Sequence, residues 1–132
     1  MKYLLDTHIL LWWVLDSPQL PVAYASKLDA LEKAGQPVNI SVISLWEIAK
    51  LVSLKRLDTS LSLDHWFDEL ERDSAVHVLP LNGAVILESS RLGNAFPKDP
   101  ADQLIVATAR HHGMQLMTVD EGIIKSGKVL VA

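Results

Sequence analysis

The stretch MKYLLDTHILLWW, residues 1–13, sets an apolar run, Tyr3-Leu4-Leu5, directly against a carboxylate, Asp6, and hydrophobic sequence resumes at Ile9. A run so short and so apolar reads as a strand covered on both faces. Residues 2–5 are therefore expected to form the first strand and residues 7–15 the first helix. Outward from there, Pro21 opens a second helix and Gly35 closes it, with proline at the start and glycine past the end. Strands are expected at 38–40, 76–79, 116–118 and 129–131, and helices at 44–54, 63–72, 82–92, 99–112 and 121–126. Short apolar runs alternating with longer amphipathic segments predict an α/β fold: a three-layer α/β/α sandwich around a central, mainly parallel five-stranded sheet. Trp46 and Trp66 are expected in the core. Trp12 and Trp13 cannot both face it, because adjacent helical residues point about 100° apart, so one of them is expected under a second subunit or a bound peptide.

The length, 132 residues, suits a single domain, taken as residues 1–132. The chain has no cysteine, which excludes disulfides, thiolate metal sites and cysteine nucleophiles and suits a reducing compartment. The apolar stretch of residues 8–15, between Asp6 and Asp16, is too short to span a membrane, and the first residues do not read as a signal peptide. A cytoplasmic protein with no membrane partner is the expectation. The hydrophobic fraction of 49% and mean hydropathy of +0.21 are high for a small soluble domain. They suggest that a second copy or a partner covers part of the apolar surface. The net charge of −4 argues against a broad basic face for nucleic acid. It is compatible with a nucleic-acid enzyme whose negative charge gathers where cations bind.

Open α/β sheets hold ligands at the carboxyl ends of their strands, where strand order reverses. Asp6 follows the first strand and Asp120 follows Leu116-Met117-Thr118. Glu47 (SLWEIAK), Asp102 and Asp99 (DPADQLIVATA) also stand at the edges of apolar elements. Carboxylates converging in one cleft raise one another's pKa, a difficulty that a divalent cation removes. Magnesium and manganese prefer oxygen ligands, and one or two such ions can neutralise charge on a phosphate and activate water. Each acid also has a plainer reading. Ser44-Leu-Trp-Glu47 matches a helix capping box. Asp99-Pro-Ala-Asp102 has an N-cap aspartate, proline at the first helical position and an acid in the first turn. Asp6 and Asp120 could cap the helices that follow them. Thr7 and Thr118 flank two of the acids, where they could orient carboxylates by hydrogen bonding or serve only as a cap and a strand residue. His8, His111 and His112 lack the i, i+4 spacing of a metal-binding helix face. Lys50, Lys55, Arg56 and Lys98 could guide an RNA backbone or simply face solvent.

The segments LLDTHILLWW, SLWEIAKL and KDPADQLIVATARHHGMQLMTVDEGI, in that order and over nearly the whole chain, resemble the PIN-domain family. Within it they look most like the VapC-like ribonuclease toxins of bacterial toxin–antitoxin modules. The resemblance implies a metal-dependent endoribonuclease that hydrolyses RNA phosphodiester bonds with metal-activated water, with Asp6, Glu47 and Asp102 as the acidic core and Asp120 as the fourth acid. Asp99 would be a ligand, an orienter or only the cap. One or two Mg2+ or Mn2+ ions, a homodimer, and a small antitoxin inserting near the acids are implied with it. The residue after Asp102 is Gln103, where many relatives with this variant carry arginine. Competing readings fare worse. A haloacid-dehalogenase-like phosphatase needs a second aspartate two residues after the first, and position 8 is histidine. A receiver domain wants an acidic pair and a late lysine that the chain does not show. A non-catalytic α/β interaction module whose acids are helix caps is the remaining alternative.

Overall fold

The computed structural model describes residues 2–57 and 62–132. Four strands, β1 (Tyr3–Leu5), β2 (Val38–Ser41), β3 (Val76–Leu79) and β4 (Gln115–Met117), form one parallel sheet in the order β3-β2-β1-β4. Its register sets Leu4 opposite Asn39 and Leu116, and Leu5 opposite Ile40 and Met117. Side chains alternate across a strand, so Leu5, Ile40 and Met117 feed one apolar cluster while Leu4 and Leu116 feed another. The first cluster is closed by α1 (Thr7–Val14), α2 (Val22–Lys33), α3 (Val42–Ser53) and α4 (Leu63–Arg72), through Ile9, Leu28, Ile48 and Trp66. The second is closed by α6 (Pro100–His112) and α7 (Glu121–Ser126), through Ile105, Val106, Ala109 and Ile123. The short α5 (Gly83–Ser89) lies along α6. This is the expected three-layer α/β/α sandwich.

The sheet has four strands rather than five. Residues 129–131 make a single bridge, Leu116 to Val131, with Leu116 N donating to Leu130 O at 2.8 Å and Ala132 N donating to Leu116 O at 2.9 Å. The segment is too short to extend the ladder beyond the outer edge of β4. The helix expected over 82–92 stops at Ser89, where the Ser89 and Ser90 hydroxyls turn back onto the Ile86 and Leu87 carbonyls, a local bond that competes with further helix. Trp66 is buried as expected, but Trp46 is exposed. On α3 the inward stripe runs through Leu45 and Ile48, and Trp46 falls off it. Trp12 and Trp13 are both half-buried against the first cluster, so the rim of the core accommodates the pair that was expected to diverge. Among the described residues no helix is long and apolar enough to cross a membrane.

Moving from β1 to β2 to β3 the chain steps one way across the sheet, and β4 then lands on the other side of β1. The reversal falls between β1 and β4, which opens a crevice beyond their carboxyl ends. Asp6 N donates to Met117 O at 3.0 Å and continues the pairing to that edge.

Candidate active site

Asp6 is the first residue beyond β1 and is only 6% exposed. Its backbone is extended and its Oδ1 accepts from Thr7 N at 2.8 Å, so it caps α1. Its Oδ2 accepts from the Thr118 hydroxyl at 2.6 Å. The same Thr118 oxygen accepts from Asp120 N at 3.1 Å, which ties the ends of β1 and β4 together through one side chain. Asp120 caps α7 by accepting from Ile123 N at 2.9 Å. Asp99 caps α6 by accepting from Ala101 N at 2.9 Å and Asp102 N at 3.4 Å, with Pro100 at the first helical position. Asp102 stands one turn in, half-buried.

Glu47 arrives from α3. The capping-box reading of Ser44 and Glu47 is overturned, because α3 begins at Val42 and its cap is Ser41, whose hydroxyl accepts from Ile43 N at 3.2 Å. Ser44 lies inside the helix, fully buried, and its hydroxyl meets Thr7 Oγ1 at 2.8 Å. Thr7 Oγ1 in turn donates to Glu47 Oε1. Glu47 is therefore held across the cleft by α1 instead of folding back on its own helix.

The five acids Asp6, Glu47, Asp99, Asp102 and Asp120 line one cleft of about 340 Å³, together with His8, Ile9, Trp12 and Val119. No lysine or arginine is among these lining residues. Crowding and burial act on the charges accordingly. Burial first, and then repulsion from Asp99, Asp6, Asp120 and Glu47, push the Asp102 carboxyl up to about 7. Burial also raises Asp6, against the pull of the Thr118 hydroxyl and the Thr7 amide. Glu47 is raised chiefly by burial, with the Thr7 hydroxyl opposing. No three Asp, Glu or His side chains among the described residues stand close enough to close on one ion by themselves. Magnesium needs less than that. It binds through one or two carboxylates and keeps several waters, and an ionised carboxylate that accepts two hydrogen bonds still has free lone pairs. In donor chemistry, a cluster of hard oxygens with no lysine or arginine among its described lining residues fits such an ion.

Three supporting residues make contacts that the sequence pattern does not signal. Ser44 meets Thr7 across 37 positions. Tyr24, from α2, shares its one hydroxyl proton between Thr118 O and Ala132 O, both at 3.0 Å, and so braces the backbone that carries Thr118. Gln103 was notable only for not being arginine; its amide donates to Pro97 O at 3.1 Å and steadies the loop ahead of Asp99. That loop touches the start of α7. A Cβ placed on Gly122 would meet Pro97 Cγ at 3.1 Å and Asp120 Oδ1 at 3.2 Å. His111 and His112 sit at the far end of α6, away from the cleft.

A parallel α/β sheet with its acids gathered at the switch-point edge defines a class of α/β protein whose ligand face is anionic. The chain belongs to the PIN-domain family, whose model matches residues 3–128. It is 32% identical over 117 residues to Ribonuclease VapC22 of Mycobacterium tuberculosis, which covers 89% of this chain and 85% of that protein. The fold is also that of VapBC2 from Rickettsia felis bound to a DNA fragment from their promoter, with TM-score 0.72, 17% identity, and coverage of 100% of this chain and 98% of that one. A toxin–antitoxin complex from Klebsiella pneumoniae matches with TM-score 0.64, 21% identity, and coverage of 98% and 97%.

Proposed function

We propose that this protein is a Mg2+- or Mn2+-dependent endoribonuclease and the toxin of a toxin–antitoxin pair. The observation that carries the chemistry is the cleft itself: five carboxylates around one space, one of them raised to about 7, with no lysine or arginine among its described lining residues. Similarity to a ribonuclease over most of the chain supports RNA as the substrate. Asp6 and Asp102 would hold the ion, with Asp120 and Asp99 at the rim. When bound, such a cation neutralises phosphate charge and lowers the pKa of water.

The chain's own residues do the positioning. Thr118 and the Thr7 amide fix both oxygens of Asp6, and Thr7 aims Glu47 at the cleft. Glu47 then orients the water that adds across the phosphorus–O3′ bond, leaving a 5′-phosphate and a 3′-hydroxyl. The partners that fit this reading are a homodimer mate and a small antitoxin. The antitoxin would lay an apolar helix on exposed apolar surface and bring a basic side chain to the acids.

The test is cleavage of single-stranded RNA by the purified protein in Mg2+. We expect cleavage that EDTA abolishes, and a fall of at least about a hundredfold in Asp6→Asn and in Asp102→Asn. Asp6, Asp99 and Asp120 do cap helices, which keeps the non-catalytic reading specific. It predicts no metal-dependent cleavage by the wild type and an effect of Asp6→Asn on stability alone, and that pair of results would decide for it; an Asp6→Asn protein that cuts RNA as fast as wild type would instead remove Asp6 from the catalytic assignment.

A further inference from the structure

Trp46 is 51% exposed and directly precedes Glu47. One helical turn on, the Lys50 ammonium lies 4.5 Å from the centre of its ring. A second depression of about 340 Å³ opens at this point, with Trp46, Lys50 and Leu51 on its wall. It shares His8, Glu47 and Asp99 with the carboxylate cleft, so the two form one continuous surface. Among the residues lining either depression, Lys50 is the only lysine or arginine.

We propose that Trp46 is a stacking platform for one base of single-stranded RNA, beside the position of the scissile phosphate, and that Lys50 meets a neighbouring phosphate. This rests on the nuclease reading above. Every nucleobase offers a flat π face, and a tryptophan ring accepts it without reading its edge. A lysine on the same ring supplies both a cation–π partner and a countercharge for the backbone. The surroundings favour a nucleotide over an apolar helix. A helix docking by its apolar stripe needs a continuous greasy strip, whereas the exposed residues that share this depression with Trp46 are His8, Lys50, Asp99 and Pro100, of which only the proline is apolar. A nucleotide has that composition in reverse: one apolar face and one charged link.

The experiment has two arms. In the first, a fluorescent single-stranded RNA oligonucleotide is titrated in Mg2+ with the uncut-substrate background Asp6→Asn, followed by anisotropy. Adding Trp46→Ala is expected to weaken Kd by about 5- to 100-fold, while Trp46→Phe stays within about threefold. In the second arm, otherwise wild-type protein cuts substrates in which each nucleotide flanking the cleavage point is made abasic in turn. One abasic position should slow the wild type about tenfold and leave Trp46→Ala indifferent. Thermal unfolding of each variant, matching its parent, shows that the fold is intact. Equal Kd for the tryptophan and alanine proteins overturns the proposal. So does an alanine effect that is the same on intact and abasic RNA, which marks a structural role. An alanine protein unchanged toward RNA but weakened toward an apolar helical peptide assigns the face to a protein partner instead. Failure of the wild type to cut RNA at all sinks the nuclease reading, and the anisotropy arm still decides the platform.

Discussion

Asp102 carries the largest electrostatic tension in the cleft, and its sign can be followed through to stability. The unfolded chain releases this proton near 3.8, and the fold holds it to about 7. Between those values the native state binds a proton that the unfolded state has lost. The contribution of Asp102 to the stability of the metal-free protein is therefore full below 3.8, is lost as pH rises toward 7, and is level above it. Asp6 and Glu47 are shifted the same way. Asp102→Asn removes the charge and keeps the shape. It should raise stability at pH 8 by about 1 kcal/mol, a figure reduced for the partial exposure of the group, or roughly 3–6 °C in Tm. Mg2+ should stabilise the wild type more at pH 8 than at pH 5, because protons compete for the same oxygens. Differential scanning calorimetry checks both, and a Tm of the asparagine variant at or below wild type refutes the charge account. At this scale the sequence was legible where chemistry coincides with position. Asp6, Asp99, Asp102 and Asp120 each follow a short strand or open a helix, and the structure brings them with Glu47 into one cleft. Ser44 and Tyr24 were not legible, because their partners lie 37 and 94 residues away and nothing in their neighbours records it.

Among the elements, α3 shows how a local pattern loses to a nearby competitor. Ser44 and Glu47 have capping-box spacing, yet Ser41 stands one turn earlier at the end of β2 and takes the cap. Starting at Val42, the helix turns Ser44 toward Thr7 and leaves Trp46 outside. The two serines therefore separate in experiment. Ser41→Ala should cost about 1 kcal/mol, the usual loss for an N-cap, and lower Tm by roughly 3–6 °C. Ser44→Ala should register in RNA cleavage, by loosening the Thr7–Glu47 pair. A stability loss at Ser44 with none at Ser41 would restore the capping-box reading. The fifth strand failed for a related reason. Three apolar residues, 129–131, satisfy a strand pattern, but whether they form a ladder depends on the edge they meet, and only one bridge forms on β4.

For the molecule as a whole, the alternation of apolar runs and amphipathic segments sufficed to give the layers, because each periodicity permits one way of burying its face. Strand order was not written in that pattern; it comes from which crossovers close over the sheet. The high apolar content partly stays at the surface, with Val22 at 81% and Leu130 at 64% exposed. Leu15, Leu54, Ile86 and Leu87 are exposed as well. That much uncovered apolar area is expected to be shared between two copies. Light scattering on the eluting protein should give twice the 14.6 kDa chain mass, and a monomer at tens of micromolar would remove the homodimer and leave the apolar surface to a different protein.

At Gly122 the loop carrying Pro97 and the cap oxygen of Asp120 stand closer to the point where a Cβ would sit than ordinary van der Waals contact allows. Two walls of the cleft, one leading to Asp99 and the other holding Asp120, lean on each other across a space narrower than a methyl group needs. Any larger residue would act as a wedge between them, so the spacing of that rim is set by a side chain that is not there.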